Sequence, residues 1–294
     1  MEEQLLTLKL PGGSALVWAF QDEYTQKLLN SILRSFAPQH HIPATDLPCS
    51  CRVTVRTKDQ RLTWDDMGWS ADSTVAFNVF HATRFTGENE VEMLVPEADD
   101  DNLRSMYYQM MRSVWCGFLP LALRRRQMTI HGALLGMGDC GVIVCGPPGA
   151  GKSTCARRVS SPWAALADDA ILITEHDGKY FAQGMPTWSC YQRNSVSPTL
   201  NWNRAVRLTG IFRLIQNDRD FIEDIPDLEK VAVALNQIDD IRYMWPARSP
   251  QLVGAMLDFA SQLAHNVPMQ KLHCSLDGEF WRELEPFVSL SAQE

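Results

Sequence analysis

Residues 142–173 limit the folds open to this chain more than any other stretch. They begin with Val142-Ile-Val-Cys145, a short apolar run that suits a buried strand. The next residues, Gly146, Pro147, Pro148, Gly149, Ala150, Gly151, Lys152, Ser153 and Thr154, match the pattern G-x-x-x-x-G-K-[ST]. Residues 152–159 suit a helix, and the apolar runs 165–167 and 170–173 flank Asp168-Asp169. Strand, loop, helix and acidic strand therefore follow one another in the context the pattern needs. Glycines at 146, 149 and 151 let backbone N–H groups turn inward towards a polyphosphate, and a helix start adds partial positive charge there. Lys152 supplies a full charge at the β/γ position and Ser153 a hydroxyl for Mg²⁺. The stretch implies a nucleoside triphosphate. It does not imply the fate of the terminal phosphate.

The 294 residues allow one large domain or two ordinary ones. A net charge of −8 argues against a general nucleic-acid binder or a protein of anionic membrane surfaces. No apolar run approaches the ~20 residues of a membrane span, and the acidic start Met1-Glu-Glu-Gln lacks a signal-peptide pattern. Of eight cysteines, Cys116, Cys145 and Cys155 sit in apolar stretches, as reduced core thiols do. The expectation is a cytoplasmic protein.

Residues 1–100 read as a β-rich α+β region without a catalytic motif. Strands are expected at 5–10, 15–20, 51–55, 61–64, 74–81 and 91–95, with a helix at 26–36. His40, His41, Cys49 and Cys51 are metal-ligand types, but their spacing fits no zinc-finger or ribbon pattern, and a Pro-rich loop entering a strand accounts for them. From residue 101 a helix carries Leu103, Met106, Tyr107, Met110, Met111, Val114 and Trp115 on one face, a core-facing stripe. Arg124-Arg-Arg126 reads as a solvated helix end. A strand at 128–135 with His131-Gly132 inside it, then a turn at 136–141, leads into the opening stretch.

Asp177-Gly178 lies between two β-prone runs and signals a hairpin, so the acidic strand turns back on itself. A strand at 210–216, helices at 227–236 and 250–263, a strand at 270–276 and a helix at 278–287 complete the chain. Asp168-Asp169 follows Lys152 by 16 residues, which leaves room for one helix and one strand. A βαβ unit makes its two strands parallel, and ligands bind at the carboxyl ends of such strands. One carboxylate could then bind Mg²⁺ while the other takes a proton from an attacking hydroxyl. A strand histidine such as His131 is by itself more often a satisfied core residue.

Ile130-His-Gly132, the loop through Thr154, and Leu166-Ala-Asp-Asp-Ala-Ile-Leu-Ile173, in this order, resemble the kinase domain of HPr kinase/phosphorylase. That resemblance implies an α/β fold, a P-loop kinase core of the HPr kinase/PEP carboxykinase type with a mixed sheet at residues 101–294. It also implies phosphate transfer from a nucleotide to a protein serine, and it carries over His131, Lys152, Ser153, Asp168 and Asp169. The N-terminal region and the absence of that family's later Gly- and Arg-rich signatures depart from the pattern. The whole chain is more similar to HPr-kinase-related proteins of peptide-modification cassettes, the ScmC type, a comparison prompted by residues 184–189 and 275–281.

The resulting expectation is an ATP- and Mg²⁺-dependent kinase acting on a hydroxyl, a Ser or Thr of a peptide or small protein. Asp168 is the base, and Ser153 and Asp169 hold the metal, though the two aspartates could exchange. His131 positions the acceptor or the γ-phosphate. The N-terminal region is then a candidate for substrate recognition. Expected partners are the acceptor, other cassette proteins and a second copy of the chain, with no nucleic acid and no membrane. Arg193, Arg204, Arg207 and Arg213 are cations that could meet the transferring phosphate. Three rivals remain. A small-metabolite kinase would alternate strand and helix where this chain has a hairpin. A GTPase or ATPase switch would show Asn-Lys-x-Asp or a water-positioning residue, and no Asn-Lys pair occurs. A non-catalytic nucleotide-binding scaffold is disfavoured by the intact Lys152, Ser153 and Asp pair.

Overall fold

In the first hundred positions strands arise from alternating apolar residues, which bury one face, and from the all-apolar run 15–20, which is buried throughout. The structure, a computed structural model, describes residues 3–34, 47–58, 76–78, 81–96, 122, 125–185, 202–242 and 250–289. It divides into two compact units, the first made of residues 1–125, 190–198 and 241–252, the second of 126–189, 199–240 and 253–294. Both are mixed α/β, and strands predominate.

In the first unit β1 (Gln4–Lys9), β2 (Ala15–Phe20), β3 (Cys49–Lys58), β4 (Ala76–Asn78), β5 (His81–Gly87) and β6 (Glu90–Pro96) form a sheet in the order β1-β2-β3-β6-β5-β4. A 3-10 turn, Pro11–Gly13, joins β1 to β2. The crossover from β2 to its parallel neighbour β3 contains α1 (Glu23–Arg34). Helix α1 starts three residues before the apolar pattern does, because Asp22 caps it. The Thr25 N–H donates to Asp22 Oδ1 at 2.9 Å, and the Asp22 N–H donates to Thr25 Oγ1 at 3.3 Å. The single strand expected at 74–81 is instead two, β4 and β5, paired antiparallel with Asn78 opposite His81. The expected strand at 61–64 and the methionine-striped helix lie outside the described residues.

The second unit holds β7 (Gln127–Met137), β8 (Cys140–Cys145), α2 (Lys152–Arg158), β9 (Ala164–Ala167), β10 (Ala170–His176), β11 (Lys179–Gly184), β12 (Val206–Gln216), β13 (Phe221–Asp224), α3 (Asp227–Arg242), α4 (Pro250–Asn266), β14 (Met269–Cys274) and α5 (Trp281–Ser289). Its sheet runs β11-β10-β7-β8-β12-β14-β13, with β9 also on β7. Strands β8, β12 and β14 are parallel, and the others are antiparallel to their neighbours. The expected turn over 136–141 contracts to Gly138-Asp139. Gly136 and Gly141 face each other within the β7–β8 ladder. They are glycines for room: a Cβ on Gly136 would meet Leu166 Cδ1 at 2.6 Å, and one on Gly141 would meet Val206 Cγ2 at 2.6 Å. The Asp177-Gly178 hairpin is present, and both residues have positive φ, 51° and 73°, as a tight two-residue turn requires.

One apolar core lies on a single face of this sheet. Ala133 and Leu135 of β7, Val142 and Val144 of β8, Phe212 and Leu214 of β12 and Leu272 of β14 meet Cys155 and Ala156 of α2 and Leu284 and Val288 of α5. Phe280 seals it, fully buried beneath the Arg158 guanidinium, which lies 5.5 Å from its ring centre. Arg158 also donates to the Ser275 carbonyl at 2.7 Å and to that of Gly278. The short helix α2 is thus tied to the loop between β14 and α5. Among the described residues no helix is long and apolar enough to cross a membrane.

Phe280→Ala should lower stability by about 3–5 kcal/mol, since it opens a cavity in a buried core. Urea unfolding measures it, and a loss below about 1 kcal/mol would show that the core collapses around the gap.

Candidate functional site

The three motifs of residues 130–173 meet around β7. Its residue Gly132 is opposite Cys145 on β8, the last residue before the glycine loop. On its other edge β7 pairs with β9 and with β10. Leu134 is opposite Ala167, and His131 is opposite Ala170. Three steps down one strand match three steps up the other, so a single register runs through Asp168-Asp169. The Gly132 N–H donates to the Asp169 carbonyl at 2.9 Å and holds that register. Two inter-strand steps therefore separate Cys145 from Asp169, about 10 Å.

The two strands, β8 and β9, are parallel, as a βαβ unit makes them, but a third strand lies between them. Strands β8 and β9 run in the same direction but do not pair, because β7 lies between them, antiparallel to both. The carboxyl ends of β8 and β9 still point the same way. One delivers the loop and the other the carboxylates. Gly132 allows this close approach: a Cβ there would meet the Val144 carbonyl at 3.0 Å, Ile143 Cγ2 at 3.1 Å and Ile171 Cδ1 at 3.3 Å.

Asp168 and Asp169 are 6% and 2% exposed, so the pair is internal, not a surface turn. His131 Nδ1 lies 3.2 Å from Asp169 Oδ1. That contact gives His131 a partner in the site and orients one of the carboxylates. In the loop Gly146, Gly149 and Gly151 have φ of 153°, 81° and 110°, conformations that other residues adopt only with strain. Lys152 is buried, and its Nζ donates to the carbonyls of Gly146 (2.8 Å) and Pro147 (3.2 Å). Ser153 and Thr154 follow in the first turn of α2. Burial pushes the Cys145 thiol up to about 12, while the charges of Lys152 and Arg213 act in the opposite direction.

The four arginines separate. Arg213 is opposite Cys145 on β12, and its Nη1 is 2.8 Å from Glu229 Oε1. Arg207 is opposite Cys140, and Arg204 donates to the Gly138 carbonyl. Both lie at the far end of β8, about 17 Å along the strand, too far to meet a phosphate held by the loop. Arg193 lies outside the described residues.

Two glutamines that carry no motif also reach the loop. The Gly146 N–H donates to Gln237 Oε1 of α3 at 3.2 Å. Gln216 Nε2, at the end of β12, donates to the carbonyls of Gly149 (3.2 Å) and Ala150 (3.3 Å). Both stand 60 or more positions from the loop, and no local pattern marks them.

The two N-terminal cysteines differ in exposure. A bulge at Ser50, between the pairs Ala15–Cys49 and Leu16–Cys51, leaves Cys49 exposed and Cys51 buried. Burial pushes the Cys51 thiol up to about 12. His40 and His41 lie outside the described residues, and among the described ones no group of three or more His, Cys, Asp or Glu side chains is placed to hold a metal.

Gly132→Ala should cost about 1–3 kcal/mol, because the added methyl group presses on the Val144 backbone and neither strand can retreat. Equilibrium unfolding in urea tests it, and an unchanged midpoint would mean that β7 is not pinned between β8 and β10.

The family model for the SynChlorMet cassette protein ScmC matches residues 94–289, two thirds of the chain. No curated protein matches it. The chain belongs to the ScmC family of SynChlorMet cassette proteins.

Proposed function

We propose that this protein is an ATP- and Mg²⁺-dependent kinase that transfers the γ-phosphoryl group to a hydroxyl, that of a Ser or Thr in a peptide or small protein. One observation carries the reading: β7 brings His131-Gly132, the glycine loop and the buried Asp pair onto adjacent strands. A nucleotide-binding scaffold needs the loop alone. The buried carboxylate pair is what a transfer reaction adds. The same order of motifs supports a kinase core of the HPr kinase/PEP carboxykinase type in the second unit.

In this reading the loop amides and Lys152 hold the β- and γ-phosphates. The acceptor oxygen forms a bond to the γ-phosphorus as the bond from that phosphorus to the β–γ bridging oxygen breaks, and ADP leaves. Asp168 takes the hydroxyl proton. Asp169, oriented by His131, would hold the metal together with Ser153. The Ser153 hydroxyl and the Asp169 carboxylate are hard oxygen donors of the kind Mg²⁺ accepts. When bound, the ion supplies positive charge against the β/γ oxygens. ATP as donor fits a cytoplasmic setting. Membership in a cassette family supports a peptide acceptor and cassette partners.

The deciding experiment incubates the protein with Mg-ATP and candidate cassette peptides and looks for a mass gain of about 80 Da on Ser or Thr. Nucleotide binding without transfer to any of them would favour the scaffold. Lys152→Ala should weaken ATP binding about 10- to 100-fold, the loss of a charge-assisted contact; unchanged affinity in calorimetry would remove the loop from nucleotide binding. Asp168→Asn should keep ATP affinity and lose transfer by about 10²-fold or more, and full transfer activity would exclude Asp168 as the base.

A further inference from the structure

The loop is fastened from outside at two points, and each fastening acts on the direction of a peptide plane. The first is where β8 ends. Gly146 has φ 153°, a conformation that only glycine adopts freely. Its N–H points to Gln237 Oε1 at 3.2 Å, in a buried contact. No strand neighbour can satisfy that amide once the chain has left the ladder, and an unpaired buried N–H is costly. The second is at the top of the loop. Gln216 Nε2 holds the carbonyls of Gly149 and Ala150. In a trans peptide the C=O and N–H point in opposite directions. Drawing the Ala150 carbonyl towards Gln216 therefore turns the Gly151 N–H the other way. The Ala150 N–H is already engaged with the Pro147 carbonyl at 3.1 Å.

We infer that Gln237 and Gln216 are positioning residues that preset the glycine loop for an anion, Gln237 as acceptor for the Gly146 amide and Gln216 as donor to the Gly149 and Ala150 carbonyls. Neither touches the transferring group. The two act from different elements, α3 and the end of β12, so the loop shape depends on both faces of the sheet. The chemistry is directional: position 237 must accept and position 216 must donate. A loop so held loses less freedom when a polyphosphate binds, and the gain appears in affinity. This inference rests on the loop being the nucleotide site.

The test is calorimetric titration of Mg-ATP into the full chain and four variants, with the melting temperature of each nucleotide-free protein. Gln237→Met and Gln216→Met keep the side-chain length and remove the acceptor or the donor. Each should weaken Kd, Gln237→Met by about 5- to 100-fold because it strands a buried amide, and Gln216→Met by about 2- to 10-fold because its contact is exposed. Gln237→Glu keeps the acceptor and should bind better than Gln237→Met, although its charge works against an anion. Gln216→Glu cannot donate and should bind no better than Gln216→Met. Methionine variants with wild-type Kd, or with only a lowered melting temperature, overturn the inference and leave the nucleotide site standing. So does Gln237→Glu binding no better than Gln237→Met. A wild-type chain that does not bind Mg-ATP overturns both.

Discussion

The hydrogen bond from the Gly132 amide to the Asp169 carbonyl keeps β9 and β10 on a single edge of β7, and the candidate site depends on it. Each short strand pairs with β7 through its own ladder, and this bond carries their common register across Asp168-Asp169, beside the residue that faces Cys145. With it, the carboxylates interrupt what is otherwise one line of pairing. The interruption explains how two carboxylates come to be buried, since a pair inside an unbroken strand would have to be driven into apolar surroundings on one face or both. Glycine at 132 is part of the same constraint. The space a side chain would occupy is taken by the Val144 carbonyl and two isoleucines.

The helix that follows the loop is only seven residues long, too short to be stable from its own hydrogen bonds. Its position comes from elsewhere. Cys155 and Ala156 are buried in the core under β7 and β8, and Arg158 fastens its last turn to the loop after β14. The residues that contact the glycine loop from outside, Gln216 and Gln237, belong to β12 and α3. The sequence-local motif is therefore local only in its covalent order. Its geometry is set by contacts 60 to 120 positions away.

This separates what was legible in the sequence from what was not. The elements around the motif were legible, because apolar runs and turn residues act over a few positions: β8, α2, the Asp177-Gly178 hairpin and the later strand–helix order match the periodicity, except for β13, a short strand that no expected element covers. The place of β7 was not, since a βαβ pattern does not say whether a third strand enters between its two strands. Nor was the use of Gly136 and Gly141 inside strands. Glycine reads locally as a turn, but here it makes room for Leu166 and Val206, which arrive from other strands. Among the arginines, sequence counts charges and register places them: Arg213 beside Cys145, Arg204 and Arg207 at the opposite end. Gln216 and Gln237 had no signal of any kind.

The hairpin has a consequence for how the sheet closes. Strand β11, made by the turn at Asp177-Gly178, returns to pair with β12 at Phe181–Arg207 and Ala182–Val206. The strands β11, β10, β7, β8 and β12 thereby close into a ring. The closure falls at the start of β12, next to Cys140, the end of β8 remote from the glycine loop. Towards the loop, β12 leaves β11 and gives that edge to β14 from Ile211 onward. The ring is thus joined where β12 begins, and the later part of β12 has β14 on that edge instead. A helix in place of the hairpin would have left β10 as an edge and the sheet open along its whole length.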